Sequence, residues 1–92
     1  MTKSELINNI NQKFPNMTTE MVSEVVDVII NKIVSTLADK GRVEIRGFGT
    51  LSVRKRDARE ARNPKTNQKV TLGERYVPYF RVGKHFHEKL NP

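Results

Sequence analysis

Residues 54–69 constrain this chain more than any other stretch. They read Arg-Lys-Arg-Asp-Ala-Arg-Glu-Ala-Arg-Asn-Pro-Lys-Thr-Asn-Gln-Lys. Seven bases (Arg54, Lys55, Arg56, Arg59, Arg62, Lys65, Lys69) stand against two acids, Asp57 and Glu60, and the only apolar side chains are Ala58 and Ala61. A segment of this composition has no face to bury against a core. Yet it lies between two strand-like runs, Gly49-Thr-Leu-Ser-Val53 and Tyr76-Val-Pro-Tyr-Phe80. The fold must therefore carry a basic ribbon, about residues 54–74, that projects from a sheet and turns near Asn63-Pro64. By itself that pattern fits either a solvated charged loop or an arm that a polyanion orders.

The charge of the whole chain bears on that choice. Of the 92 residues, 1–39 hold three bases against five acids, and 40–92 hold fourteen bases against five acids. A near-neutral first half and a strongly basic second half imply a division of labour, with folding or dimerisation first and anion contact second. The length predicts one domain with a modest core. The absence of cysteine excludes disulfides, thiolate metal sites and cysteine nucleophiles. No apolar stretch follows Met1-Thr-Lys-Ser as in an export signal, and no apolar run is long enough to span a membrane, so the expected location is cytoplasmic.

Thr2-Lys-Ser-Glu5 reads as a capping box. Leu6, Ile7, Ile10 and Phe14 then share one helical face, and Pro15-Asn16 ends the helix. Thr18 or Thr19 can cap a second helix, whose stripe of Val22, Val25, Val26, Ile29, Ile33, Val34 and Leu37 runs to Asp39. Met21, Val28 and Ile30 widen it beyond what one short helix can cover, so the reading requires a dimer with a shared core. Val26, Ile29 and Ile33, with Phe48, Leu51 and Phe80 from the sheet, are its expected core residues. Gly41 sits where a left-handed helix cap belongs. Arg42-Val-Glu-Ile-Arg46 alternates like a half-buried strand, Gly47-Phe-Gly49 is a turn or bulge, and residues 49–56 form a second strand. The arm returns through residues 70–72 and turns at Gly73-Glu74. A third strand covers 75–82, with Pro78 implying an edge position or a bulge, and a short helix follows Gly83. The class is α+β in the order α-α-β-β-β-α: a helical dimerisation body (1–40), a three-stranded antiparallel sheet with a long β-ribbon arm (41–82) and a C-terminal helix (83–92).

Little here resembles catalysis. His85 and His87 point to different faces of a short helix, and Glu44, Asp57, Glu60 and Glu74 have no metal-ligand spacing. We expect no metal, no cofactor, no small-molecule substrate and no enzymatic activity. Arg42, Glu44 and Arg46 alternate along one strand face; the spacing fits equally an ion-pair ladder or an acid that holds an arginine rigid for groove contact. The helix starts at Thr2-Lys3-Ser4 and Gly83-Lys84 offer amides beside a lysine. The basic arm has no aromatic stripe, which weakens a single-stranded RNA reading.

Gly47-Phe-Gly49, Arg56-x-x-Arg59 and Arg62-Asn-Pro-Lys-Thr66 together resemble the signature of the bacterial histone-like DNA-binding proteins, HU and integration host factor. The resemblance spans the whole chain, and the Arg-Asn-Pro-x-Thr tip is its most specific part. Within the family, Arg42-Val-Glu-Ile-Arg-Gly-Phe-Gly49 is most similar to the beta-subunit branch of integration host factor, because HU proteins usually carry uncharged residues at Glu44 and Arg46. The chain departs from the family at Ala61 and Asn67, where glycine is usual, and Glu60 adds an acid. Asn67 should still accept a left-handed turn.

The resemblance implies an intertwined dimer, a heterodimer with an alpha subunit or a homodimer, that bends double-stranded DNA. It implies Pro64 as the wedge between base pairs; Arg59, Arg62, Asn63, Lys65 and Thr66 in the minor groove; and Arg46, with Glu44, as the source of sequence preference. Lys3, Arg42, Arg54, Arg56, Lys69, Arg75, Arg81 and Lys84 are then expected on phosphates. The expected roles are recombination, transcription and translation control, and nucleoid organisation. The alternatives are a non-specific HU-like homodimer and a basic RNA-binding or ribosome-associated protein.

Overall fold

The computed structural model describes residues 1–92 and divides them into two units, Met1–Ser35 and Thr36–Pro92. The elements in order are α1 (Lys3–Lys13), α2 (Thr19–Ala38), β1 (Val43–Ile45), β2 (Gly49–Arg56), β3 (Arg59–Arg62), β4 (Lys69–Leu72), β5 (Arg75–Val82) and α3 (Lys84–Leu90).

In the first unit both helices start on a threonine cap. Thr2 Oγ1 accepts from the Glu5 amide at 3.2 Å, and Thr18 Oγ1 accepts from the Met21 amide at 3.1 Å. These side chains satisfy amides that have no partner within the helix. Ile7 of α1 packs with Val22 and Val26 of α2, and Leu6, Ile10 and Met17 close around them. Phe14 does not join this cluster, contrary to its helical spacing. Helix α1 stops at Lys13, and Phe14 takes the cap geometry (φ −126°, ψ 67°), which leaves it 56 % exposed. The Met17 amide bonds back to the Phe14 carbonyl at 3.0 Å, and Met17 fills the end of the core instead.

The rest of the α2 stripe is uncovered. Met21, Val25, Val28, Ile29, Ile30 and Val34 are all at least 42 % exposed.

Helix α2 ends differently from the sequence expectation. The left-handed residue is Lys40 (φ 64°), not Gly41. The Lys40 amide donates to Leu37 O and the Gly41 amide to Thr36 O, a pair of bonds that caps the last carbonyls. Gly41 is needed for space, since a Cβ there would lie 3.0 Å from Thr36.

In the second unit β1, β2 and β5 form an antiparallel sheet with β2 in the centre. Pro78 lies on the edge strand β5 opposite Val53, in unbroken register, so no bulge is needed. Strands β3 and β4 form a separate two-stranded ribbon, the predicted arm. Phe48, Phe80 and Phe86 cluster with ring centroids 5.3–6.2 Å apart. Gly49 permits this, because a Cβ there would meet Arg81 O and the Phe80 ring at 2.6 Å. Helix α3 is tied to the β1–β2 turn by Gly83 N–H to Phe48 O (2.8 Å) and Phe86 N–H to Gly47 O (3.1 Å).

Candidate nucleic-acid interface

Residues directly opposite in an antiparallel pair share a face. The β2–β5 register pairs Thr50 with Arg81, Ser52 with Tyr79, Arg54 with Val77 and Arg56 with Arg75, and the β1–β2 register adds Glu44 beside Thr50. One face of the sheet therefore carries Arg54, Arg56, Arg75 and Arg81. The other carries Leu51, Val53, Pro78 and Phe80, with Val43 and Ile45 from β1. Arg42, Arg54, Arg81, Tyr79 and the hydroxyl residues Thr50 and Ser52 line a shallow hollow of about 300 Å³ on the arginine face. The Arg54 guanidinium carbon lies 3.5 Å over the centre of the Tyr79 ring, a cation–π contact that restrains the side chain. Tyr79 was not among the expected site residues.

Glu44 and Arg46 come together around a second hollow of about 460 Å³ that also takes in Gly47, Gly49 and Gly83. They do not pair. Glu44 bonds Arg42, its neighbour two residues back along the face. Strand β1 stops at Ile45, so Arg46 opens the turn that Gly47 completes at φ 83°. The strand expected over residues 42–46 is thus shorter at both ends. Arg46 is exposed at the rim with no ion-pair partner. The sequence left open whether the acid forms a ladder or braces an arginine; the contact it makes is with Arg42.

The arm continues the sheet register without a slip: Arg56 faces Arg75, and Arg59 faces Leu72. Pairing lapses only at 57–58 and 73–74, where the sequence reading placed a turn at Gly73-Glu74. Within the ribbon, Ala61 faces Val70 and Arg62 faces Lys69. Ala61, Val70 and Leu72 form a narrow apolar strip. Residues 54–69 alone have no such face; the returning strand supplies it.

The tip is built by its amides. Asn63 N–H donates to Gln68 O at 2.9 Å, and Asn67 N–H to Asn63 O at 2.7 Å. Asn63 Oδ1 accepts from the Lys65 amide at 3.0 Å, Thr66 Oγ1 from the Gln68 amide at 3.4 Å, and Asn67 Oδ1 from Arg62 Nη1 at 3.3 Å. Asn67 is left-handed, φ 56°, as its chemistry predicted. Asn63, Thr66 and Arg62 therefore hold the turn in the free protein, while Pro64 and the Lys65 side chain stand exposed at its corner.

The remaining expected residues are more scattered. Lys3 pairs with Asp27 in the first unit. Lys69 is exposed on β4, and Lys84 is exposed at the start of α3. Of the expected dimer residues, Ile29, Phe48 and Phe80 are substantially exposed and Ile33 and Leu51 half-buried, whereas Val26 is buried in its own chain against Ile7. No group of three His, Asp or Glu residues is placed to hold a metal ion, and no helix is long and apolar enough to cross a membrane.

Comparison with known proteins matches this arrangement over its full length. Residues 1–91 match the family described as bacterial DNA-binding protein. The integration host factor beta subunit of Dichelobacter nodosus is 43 % identical over 91 residues, covering 99 % of this chain and 95 % of that one. The beta subunit of Mannheimia haemolytica is 42 % identical, covering 99 % and 98 %. Among solved structures, an Anabaena HU–DNA cocrystal structure superposes with a TM-score of 0.87 at 36 % identity, covering 100 % of this chain and 99 % of that one. An HU variant from Thermotoga maritima gives 0.71 at 27 % identity, covering 99 % and 100 %. The chain belongs to the bacterial DNA-binding protein family of HU and integration host factor, a family of architectural DNA-binding proteins and not of enzymes.

Proposed function

We propose that this protein acts as a dimer that bends duplex DNA, seating the backbone on the arginine face of the sheet and sending the arm into the minor groove. The observation that carries this reading is the uninterrupted register from the arginine face into the arm, ending at a corner where Pro64 is exposed. A compact apolar ring at such a corner can replace lost base stacking without needing a hydrogen-bond partner, at a cost of a few kcal/mol for the unstacked step. Arg59, Ala61, Val70 and Leu72 share one side of the ribbon, so a groove wall meets aliphatic surface with cations at its rim. Arg42, Arg54, Arg56, Arg75, Arg81 and Lys69 neutralise phosphates on the flanks, with Lys3 and Lys84 as further contacts. The dimer supplies a second arm and covers the α2 stripe. Pairing with an alpha subunit is the form favoured by the likeness to beta subunits.

Sequence preference is assigned to Arg46. Glu44 pairs with Arg42 and not with Arg46, which leaves Arg46 without an ion-pair partner at the edge of that hollow. A preference set mainly by DNA shape and sharpened by one minor-groove arginine follows. The corresponding cellular roles are recombination, transcription and translation control in the bacterial nucleoid. Arg46→Ala is expected to bring binding of a preferred site and of random duplex closer together; a fall of both affinities with their ratio unchanged would make Arg46 a phosphate contact only.

An RNA-binding reading is disfavoured by the tyrosines. Tyr79 is covered by Arg54, and Tyr76 lies 4.0 Å beneath the Lys40 ammonium. Each ring has a cation seated on it, which reduces the ring surface open to base stacking. Competition between nicked or kinked duplex DNA and duplex RNA tests the assignment, with DNA expected to win; equal competition would remove it.

A further inference from the structure

Strand β2 pairs with β5 as far as Arg56 opposite Arg75, and β3 with β4 from Arg59 opposite Leu72. Two residues on each strand separate these pairs, so the register places Asp57 directly across from Glu74 and Ala58 across from Gly73. Here alone the ribbon loses its pairing. Backbone chemistry does not explain the lapse. The gap is equal on both strands, so there is no bulge, and no proline lies in it. Gly73 is not left-handed, and a Cβ on it would meet nothing within 4 Å.

The side chains that face each other across the first step of the gap are both acids. Like charges directly opposite on a ribbon destabilise their pairing. Glu74 is turned back along the same side of the ribbon to Lys55, Nζ to Oε1 3.1 Å. Asp57 is exposed with neither an ion pair nor a hydrogen bond. Arg59 lies two residues further along that side but does not bridge to it, and Arg56 and Arg75 occupy the opposite side. Asp57, Arg59 and Arg75 border a hollow of about 600 Å³ that opens at the break.

We propose that Asp57 and Glu74 form a charge-operated hinge at the base of the arm. Their repulsion keeps the ladder open, and the Lys55–Glu74 pair fixes which way Glu74 turns. The arm can then change direction relative to the sheet without a change of register. The proposal concerns the free protein and does not depend on what the arm binds.

Amide hydrogen exchange on the full-length protein tests it at two salt concentrations. Asp57→Asn is expected to slow exchange at Arg59, Ala61, Val70 and Leu72 by about two- to five-fold at low salt. In the unaltered protein, added salt should screen the repulsion and raise protection by a similar factor, and in the Asp57→Asn protein this response should vanish. Gly73→Ala, whose Cβ falls in open space, should not reproduce the effect. Unchanged exchange in Asp57→Asn, a salt response that survives the substitution, or equal protection from Gly73→Ala would each overturn the proposal.

Discussion

Helix α2 and the arm are both unfinished surfaces, and they are unfinished in opposite ways. Helix α2 has an apolar stripe too wide for the one short helix packed on it, with Val28, Ile29 and Val34 more than half exposed. The arm has charge and hydrogen-bonding amides but only Ala61, Val70 and Leu72 as an apolar strip. Exposed apolar surface is covered by more apolar surface, and burying each valine or isoleucine is worth about 1.5–3 kcal/mol. A cationic ribbon is completed by a polyanion through counterion release. The stripe and the arm therefore call for two kinds of partner, a second protein chain for one and nucleic acid for the other. The sequence already separates them by charge, near-neutral before residue 40 and strongly basic after it.

The largest expected effect falls on the helix. Ile29→Asp puts a charge in the centre of the uncovered stripe, where desolvating it on dimerisation costs several kcal/mol. Sedimentation should show loss of the dimer, and a dimer of undiminished stability would remove α2 from the interface. On the arm side the effect is spread over many contacts. If the dimer neutralises about 8–10 phosphates, the log-log slope of affinity against salt is about −7 to −9. Arg56→Gln should reduce its magnitude by about one per protomer, and an unchanged slope would exclude Arg56 from phosphate contact. The smallest effect is at the tip. Asn67→Ala forces a Cβ residue without a polar side chain into φ 56° and removes the acceptor for Arg62, so the hairpin should lose about 1 kcal/mol. Asn67→Gly should keep the turn. Tip amide chemical shifts that respond equally to both substitutions would contradict this account of the turn.

Much of the fold was legible because local rules and tertiary structure agree. Thr2 and Thr18 cap where expected, residues 49–56 and 75–82 are strands over those bounds, and Asn67 takes the left-handed position. The misses have specific causes. Phe14 fits the helical period but lies one residue past its end. Lys40 is left-handed in place of Gly41 because two capping bonds, Lys40 to Leu37 and Gly41 to Thr36, outweigh the strain of a Cβ. At the site, the arginines were legible as residue types but their pairing was not. Arg42, Glu44 and Arg46 permit two ion pairs by spacing, and the end of β1 at Ile45 decides between them. Tyr79 beneath Arg54 and the Val70–Leu72 side of the arm required cross-strand register, which no single strand encodes.

The central claim is that the arm deforms DNA through Pro64 while the arginine face supplies most of the affinity. It is tested most directly by the end-to-end distance of a dye-labelled duplex bound to the unaltered protein and to Pro64→Ala. Binding of the unaltered protein should shorten that distance sharply. Pro64→Ala should recover much of the unbent length while the Kd, measured at the same salt concentration, changes by less than about ten-fold, which is 1.4 kcal/mol. Equal shortening by both proteins would contradict the wedge, and with it the assignment of bending to the arm.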